Sequence, residues 1–281
     1  MTSADSDSGG DGERIHKALA RAGWGSRREI ERLVAAGRIR VNGRKAEPGC
    51  QVRPGDRIQL DGGPMRRLEP PGDALRVLAY NKPVGEVCTR RDPEGRPDVF
   101  AGLPRLRHGR WINIGRLDIN TSGLLLFTNH GELAHRLMHP RYHVDREYAV
   151  RVFGEVDAAM LKRLREGVEI DGEEAHFDDI VVGEGEGANR WYYCVVQRGR
   201  HREVRRLWES QGVQVSRLMR VRFANVMLPT DLRAGRSVEL GGKLLDDLCE
   251  LVGIAPQGLR EAGGRAARRP RRGAGDDGRS R

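Results

Sequence analysis

Gly115-Arg116-Leu117-Asp118-Ile119-Asn120-Thr121-Ser122-Gly123-Leu124-Leu125 is the stretch from which the fold of this chain can be worked out. A single carboxylate, that of Asp118, lies among turn-forming and hydroxyl residues, and an apolar run over residues 124–127 follows it directly. Four to eight apolar residues bounded by turn signals predict a buried strand. Asp118 is therefore expected on a loop held by a rigid sheet, where catalytic groups are often found. The alternative is a simple Asx turn.

Length and composition limit the class of protein. The 281 residues are enough for one to three domains with real hydrophobic cores. No stretch is apolar for long enough to span a bilayer, and residues 1–12 are acidic and lack the apolar core of a secretory signal. The four cysteines lie far apart and have neither CxxC nor zinc-site spacing. We therefore expect a cytoplasmic protein with reduced thiols.

The net charge of +10 is unevenly distributed along the chain. Residues 13–60 carry twelve Lys and Arg against five acids, and residues 255–281 carry eight Arg against three acids. The middle, residues 61–254, is nearly neutral at +1. Two basic ends around a neutral centre predict a polyanionic partner that the ends hold and the centre modifies.

Residues 13–60 have the pattern of two helices followed by a hairpin. Ser26 and Glu29 form a capping box at the start of the second helix, and Asn42-Gly43 is typical of a type I′ turn. Residues 1–12 are predicted to be disordered, and the Gly- and Pro-containing residues 61–72 are predicted to be a linker.

This first unit resembles the S4 RNA-binding domain. The strings that carry the resemblance are Lys17-Ala18-Leu19-Ala20-Arg21-Ala22-Gly23, Ser26-Arg27-Arg28 and Gly37-Arg38-Ile39-Arg40-Val41-Asn42-Gly43. Five arginines are the expected RNA-binding residues, and they are Arg21, Arg27, Arg28, Arg38 and Arg40. Phosphate contacts by such residues give affinity and salt dependence but little sequence choice. The alternative is a basic face that is only solvated.

Residues 73–254 alternate predicted strands and helices and form the second predicted domain. A tail rich in Arg, Gly and Pro, residues 255–281, is predicted to be disordered. His135 and His139 are four residues apart on a predicted helix, but no Glu follows His135 and no third ligand is evident, so we predict no metal site. Glutamates interrupt the glycine run over residues 183–187 and would repel phosphate, which favours a hairpin tip over a nucleotide-binding loop.

Four strings in this domain resemble, in the same order, the motifs of the RsuA-type pseudouridine synthases. They are Asn81-Lys82-Pro83-Val84-Gly85, the Asp118 stretch, Arg146-Glu147-Tyr148-Ala149-Val150 and Arg202-Glu203-Val204-Arg205. With the S4 strings, the resemblance covers about residues 13–253. It implies an α/β (α+β) protein in which an S4 domain precedes a catalytic domain with a mixed, mainly antiparallel sheet and flanking helices.

The resemblance also implies roles for individual residues. Asp118 is the implied catalytic carboxylate, and Tyr148 is the implied stacking partner of the target base. Arg205 is the implied cation that keeps the carboxylate ionised, since nearby positive charge favours the charged form. We expect Arg116 to bind the RNA backbone or hold the loop, and Lys82 to contact RNA. The alternatives for Arg205 and Tyr148 are a surface arginine and an ordinary strand aromatic.

The implied reaction converts uridine to pseudouridine. The N1–C1′ bond breaks, the uracil turns, and it rejoins the sugar through C5, after the uridine has left its stack. No net redox change or energy input is needed, so we expect no cofactor. Whether Asp118 acts as a nucleophile or removes a sugar proton as a base stays open at this point.

Glu203 takes the place of the glutamine usual in this family. This departure, together with Arg206-Leu207-Trp208, indicates the B branch of the family, which acts on large-subunit ribosomal RNA. The expected partner is 23S ribosomal RNA or a large-subunit assembly intermediate, with the target near the peptidyl-transferase region. We expect a monomer that binds no membrane and no nucleotide cofactor.

Three other functions compete with this one. A non-catalytic S4 protein would not need Asp118, Tyr148 and Arg205. An S4-linked RNA methyltransferase would need a Gly-rich cofactor loop after its first strand, which the sequence lacks. A sister synthase that acts on another ribosomal RNA site, including one in 16S RNA, is the alternative that sequence separates least well.

Overall fold

The computed structural model describes residues 12–69, 74–185 and 189–255. These form two compact units, with the boundary between residues 74 and 75. The predictions of disorder for residues 1–11 and for the tail from residue 256 lie outside the described residues. Within the described ranges, no helix is both long and apolar enough to cross a membrane.

Within residues 12–69, the first unit contains two short helices and two small sheets. Its elements are β1 (Glu13–Arg14), α1 (Ile15–Arg21), α2 (Arg27–Ala35), β2 (Ile39–Val41), β3 (Arg44–Lys45), β4 (Gln51–Val52), β5 (Arg57–Leu60) and β6 (Arg66–Arg67). Strands β3, β2, β5 and β6 form one antiparallel sheet in that order, and β1 pairs with β4.

Local sequence signals account for most of this unit. The Ser26 hydroxyl accepts a hydrogen bond from the Glu29 amide at 3.1 Å, and the Glu29 carboxylate accepts one from the Ser26 amide at 3.4 Å, which completes the predicted capping box. Asn42 and Gly43 both have positive φ, at 50° and 84°, as a type I′ turn requires. Both predictions are confirmed.

The predicted linker over residues 61–72 begins too early. Strand β6 pairs antiparallel with β5, and the Leu68 side chain is 2% exposed and packs in the core of the first unit. Residues 66–68 therefore belong to the first unit, and the prediction is wrong for them. Two consecutive arginines in β6 are typical of a solvent-exposed loop, which is why the sequence suggested a linker. Their backbone nevertheless pairs with β5 and forms an edge of the sheet.

The second unit is built on one large sheet. Its elements are β7 (Val77–Lys82), β8 (Ile112–Ile114), β9 (Ser122–Thr128), α3 (Gly131–Met138), a short 3-10 helix (Pro140–Tyr142), β10 (Arg146–Phe153), α4 (Ala158–Glu166), β11 (Val168–Ile170), β12 (Glu173–Ala175), β13 (Asp179–Val182), β14 (Asn189–Val196), α5 (Glu203–Glu209), β15 (Gln214–Phe223), β16 (Val226–Met227), β17 (Ser237–Glu239) and α6 (Gly242–Glu250).

Nine strands of the described residues form this sheet, which is mixed but mainly antiparallel, as expected. Their order is β13-β14-β10-β15-β9-β7-β17, with β8 on β9 and β16 on β15. The pairing of β15 with β9 is parallel and covers only two residue pairs. Strand β9 reads as a continuous apolar run because its residues 123–128 are all buried, on both faces of the sheet.

Gly123 allows the parallel contact at the centre of the sheet. It has φ of 98°, and a Cβ atom on it would lie 2.3 Å from the carbonyl oxygen of Arg220 on β15. Only glycine combines this backbone conformation with such a close approach. The glycine that follows the Asp118 loop therefore fixes where β9 meets β15.

One face of the sheet carries the main core. Tyr148, Val150 and Val152 of β10 point to the same side, where Leu164 of α4 and Trp208 of α5 pack in the same hydrophobic cluster. Helices α4 and α5 thus cover this face, and α5 also contacts β15 next to it. The site described below lies where α5, β15 and β9 come together.

Candidate active site

The Asp118 loop joins β8 to β9 and is tied to the preceding segment of chain. The Thr121 amide donates to the Asp118 carbonyl at 3.0 Å, which closes a tight turn. The Gly85 amide donates to the Ile119 carbonyl at 2.8 Å, so the Lys-Pro-x-Gly turn lies against this loop. Leu117 is 6% exposed and packs in the main core, whereas Asp118 is half-buried. The loop is therefore anchored on both sides of an accessible carboxylate.

Lys82 lies beneath the loop and is fully buried. Its ammonium group donates to the carbonyls of Pro83 at 2.9 Å, Asp118 at 3.2 Å and Thr121 at 2.9 Å. Burial lowers the pKa of Lys82, while the charges of Cys88, Glu86 and Asp118 act in the opposite direction. All three ammonium donors are used, so the side chain has no donor left for the predicted contact with RNA. Its position makes it a clamp on the loop.

Arg205 holds the same loop from α5. Its Nη2 donates to the Asn120 carbonyl at 3.0 Å and its Nη1 to the Val215 carbonyl at 3.0 Å. Burial lowers the pKa of Arg205, as does the nearby charge of Arg202, whereas the negative charge of Asp118 raises it. Within the described residues, no hydrogen bond or ion pair under 4 Å joins Arg205 to Asp118. The guanidinium thus bridges loop and strand and acts on Asp118 only through its charge.

Tyr148 lies on β10, two strands away from β9, and is 9% exposed. Strand register places Tyr148 opposite Arg220, Arg220 opposite Gly123, and Gly123 opposite Lys82. One row across four adjacent strands therefore carries Tyr148, Arg220 and Lys82, and ends beside the Asp118 loop. The structure brings the predicted Asp118, Tyr148, Arg205 and Lys82 into one region, while Arg116 is exposed at the loop's start.

Two buried charges in this region were not predicted to have a role. Arg220 is 1% exposed, and its Nε donates to the Leu124 carbonyl at 2.7 Å. Glu203 is 6% exposed and accepts a hydrogen bond from the Arg200 amide at 3.2 Å. Burial raises the pKa of Glu203, while the charges of Arg200, Arg198 and Arg146 lower it. The sequence signal that could have identified Arg220 and Glu203 is a charged residue at a position where the strand or the helix faces the core.

Three buried polar atoms of this region have no hydrogen-bond partner within the described residues. They are Thr121 Oγ1, Arg205 Nε and Arg220 Nη2. Buried polar atoms are satisfied in the great majority of cases, so a group of exceptions calls for an explanation. A hydroxyl and two cationic donors next to a half-buried carboxylate suit a polar ligand with several acceptor atoms.

The five arginines predicted in the first unit differ in what they contact. Arg21 is paired with Glu13 at 2.8 Å, and Arg38 with Asp61 at 2.5 Å. Arg40 donates to the Gly43 carbonyl at 3.0 Å. Arg27 and Arg28 are exposed at the start of α2, and neither has an acidic partner within the described residues. These two have side chains most available to phosphate.

The predicted helix with His135 and His139 is α3 and its C-cap. The two rings contact each other edge to face, with centroids 5.4 Å apart. Within the described ranges, no group of three or more His, Cys, Asp or Glu residues is arranged to hold a metal ion.

Comparison with family models gives two matches. Residues 13–58 match the S4 domain, and residues 76–210 match the family described as RNA pseudouridylate synthase. The first match lies in the first unit and the second in the sheet domain, and it includes Lys82, Asp118, Tyr148 and Arg205.

Two curated relatives carry the name ribosomal large subunit pseudouridine synthase B. The Pseudomonas aeruginosa protein is 58% identical over 249 residues, which are 88% of this chain and 64% of the relative. The Escherichia coli K12 protein is 54% identical over 247 residues, which are 87% of this chain and 85% of the relative. A crystal structure of a pseudouridylate synthase shares the fold, with a TM-score of 0.59 and 22% identity over 85% of this chain and 99% of that one.

Proposed function

Because the chain belongs to the pseudouridine synthase family with an S4 domain, we propose that it isomerises uridine to pseudouridine in large-subunit ribosomal RNA. The observation that carries the proposal is the Asp118 loop. Lys82 holds its carbonyls from below, Arg205 holds it from the side, and the carboxylate is left half-buried and accessible. A binding scaffold has no need for a loop anchored in this way.

The proposed chemistry starts from an extruded uridine in contact with Asp118. The ionised carboxylate acts on the sugar, either by attack at C1′ or by removal of a sugar proton, and the N1–C1′ bond breaks. The uracil leaves with negative charge on its ring, turns, and forms the C5–C1′ bond. On the first route the C5–C1′ bond forms as the bond between Asp118 and C1′ breaks, and on the second the Asp118 carboxyl group returns the sugar proton. Loss of the C5 proton and protonation of N1 then complete the isomerisation, so the product has the same composition as uridine.

The cations of the site are assigned electrostatic and positioning roles. Arg205 and Lys82 place positive charge near the carboxylate. Arg205 and Arg220 each have a buried donor with no partner among the described residues, and these donors are assigned to the carbonyl oxygens of the departing uracil. Tyr148 provides an aromatic face for the base. Arg116, exposed at the start of the loop, is assigned to the RNA backbone.

The proposed partner is 23S ribosomal RNA or a large-subunit assembly intermediate, with a target near the peptidyl-transferase region. The names of the two relatives support the subunit, and the +7 charge of residues 13–60 supports backbone binding by the S4 unit. We assign the protein to the cytoplasm, where ribosomes are assembled, and expect it to act as a monomer without a cofactor.

Mapping of pseudouridines in the cell tests this function. Ribosomal RNA from cells with and without the protein is treated with carbodiimide and read by reverse transcription. One stop in 23S RNA should be absent from cells that lack the protein. Expression of the wild-type chain in those cells should restore the stop, whereas expression of the Asp118→Asn variant should not. Disappearance of a stop from 16S RNA would assign the chain to a sister site, and an unchanged pattern would contradict the proposal.

A further inference from the structure

The outer surface of strands β13, β14, β10 and β15 is a second feature of the sheet domain. We call it the open sheet face, and its main side chains are Arg151, Phe153, Val181, Trp191, Tyr193 and Arg217. Directly opposed residues of antiparallel strands lie on the same face of a sheet. Register places Trp191 opposite Arg151 and Arg151 opposite Arg217, and it places Val181 opposite Tyr193. These five side chains therefore form two adjacent rows, and Phe153 lies two positions beyond Arg151 along β10.

The open sheet face lies opposite the core. Tyr148, Val150 and Val152 alternate along β10 with Arg151 and Phe153, and the first three point into the main core. On the outer side, Tyr193 is 42% exposed, Phe153 is 50% exposed and Val181 is 53% exposed. Aromatic and aliphatic groups thus face solvent on the back of the strand that carries Tyr148.

Arg151 and Arg217 are unusual in lying directly across from each other. Like charges in directly opposed positions destabilise a sheet. Neither arginine has an ion pair within the described residues, and the buried Nε of Arg151 has no hydrogen-bond partner there. In the next part of the same face, by contrast, Arg222 pairs with Glu147 at 2.7 Å and with Asp145 at 3.5 Å. The two arginines beside Trp191 therefore lack an acidic partner in the part of the chain that the structure describes.

We propose that the open sheet face binds single-stranded RNA, separately from the catalytic side of the sheet. Unpaired bases stack on Trp191 and Tyr193, while Arg151 and Arg217 bind the phosphates. The two aromatic residues are two positions apart on one strand, so they are spaced by about 7 Å. Aromatic side chains on a sheet surface with neighbouring arginines are a common platform for unstacked nucleotides.

The charge of the face favours RNA over a protein partner. An apolar protein surface would bury Arg151 and Arg217 next to each other without compensation, which is costly. A phosphate backbone supplies the missing negative charge, and bases cover the exposed aromatic rings. The inference rests on the proposed function only in that the substrate is RNA. An enzyme that extrudes a base from a long RNA also has flanking single strands to hold.

Binding of a uridine-free, fluorescein-labelled RNA oligonucleotide of about 20 nucleotides to the full chain tests the proposal, since a platform of this kind is sequence-tolerant. The test variant is Arg217→Glu with Tyr193→Thr. The control is Lys162→Glu, which makes the same change in charge at an exposed, ion-paired residue of α4. The test variant should bind about tenfold or more weakly than wild type. The control should change by less than about twofold, because screened surface charge acts weakly at a distance.

Two further measurements define the result. Tyr193→Phe should keep wild-type affinity, because the stacking ring is retained. A photoreactive 5-iodocytidine oligonucleotide should crosslink to the β14 peptide that contains Trp191 and Tyr193. If the double variant fails to fold, judged by circular dichroism, the single Arg217→Glu variant takes its place, since that side chain is exposed.

Equal affinities of test and control variants, or crosslinks confined to other segments, would overturn the proposal. A concentration-dependent dimer that the double variant abolishes would also overturn it, in favour of contact between two copies of the chain. Failure of the proposed catalytic function can be distinguished from each of these outcomes. Appreciable turnover by Asp118→Asn would defeat the catalytic assignment, but it would leave the binding of a uridine-free oligonucleotide to the open sheet face unaffected.

Discussion

Asp118 is the residue on which the proposed chemistry depends. Asp118→Asn keeps the size and hydrogen bonding of the side chain but removes its charge. We expect turnover of a target RNA fragment to fall by at least about a hundredfold, with RNA affinity unchanged. Single-turnover kinetics and equilibrium binding on the purified protein measure both. Asp231→Asn, at an exposed position of the same unit, is the control and should behave as wild type.

Arg205 tests whether charge alone holds the Asp118 loop. Arg205→Lys keeps the charge, but one ammonium group cannot reproduce two hydrogen bonds to carbonyls on a loop and a strand. We expect Arg205→Lys to be nearly as impaired as Arg205→Ala, with kcat reduced about tenfold or more and a smaller change in KM. Near wild-type kcat for Arg205→Lys would show that only the positive charge matters.

At the scale of elements, α5 does more than its seven residues suggest. Its side chains Glu203, Val204, Arg205, Leu207 and Trp208 are all buried. The helix places Arg205 in contact with the Asp118 loop. It places Glu203 against the backbone of Arg200, in the turn that precedes the helix. Its apolar side chains hold both against the sheet. A short helix with no side-chain cap is thus stabilised mainly by packing.

Glu203 gives this element a pH-dependent stability. Burial raises the pKa of Glu203 above its unfolded value of 4.5. At a pH between the unfolded and the folded pKa of Glu203, the folded state binds more protons than the unfolded state. The contribution of Glu203 to stability is therefore present below pH 4.5 and is lost as the pH rises through the folded pKa. Glu203→Gln removes the effect. Relative to wild type, the variant's free energy of unfolding should increase from pH 4 to pH 7, as followed by urea denaturation. A constant difference would contradict this account.

For the whole molecule, we predict a division of labour between the two units. Arg27 and Arg28 are exposed on α2 without acidic partners in the part of the chain that the structure describes, whereas Arg21 is paired with Glu13. Arg27→Ala with Arg28→Ala should weaken ribosomal RNA binding and reduce the log–log salt slope by roughly 0.7 to 0.9 for each phosphate that is no longer bound. The turnover rate at saturating RNA should be retained. Arg21→Ala is the matched control, with a smaller effect expected. An unchanged slope in the double variant would mean that this basic face is only solvated.

Sequence alone determined which local elements form. The capping box at Ser26, the turn at Asn42-Gly43 and the alternation along β10 and β15 each depend on residues close together in the chain. Local hydrogen bonds and side-chain periodicity are set by such neighbours. The motif strings also selected Asp118, Tyr148 and Arg205, which the fold then brought into one region.

Only the tertiary structure decided what surrounds these residues. The row of Tyr148, Arg220, Gly123 and Lys82 joins strands that are far apart in sequence, and strand order is not encoded in any one of them. The same pairing buries Lys82, which its sequence context presented as an RNA contact, and pairing of β6 with β5 adds residues 66–68 to the first unit. Register and burial depend on which distant strands meet, because backbone hydrogen bonds between strands form only after the chain has closed the loops between them.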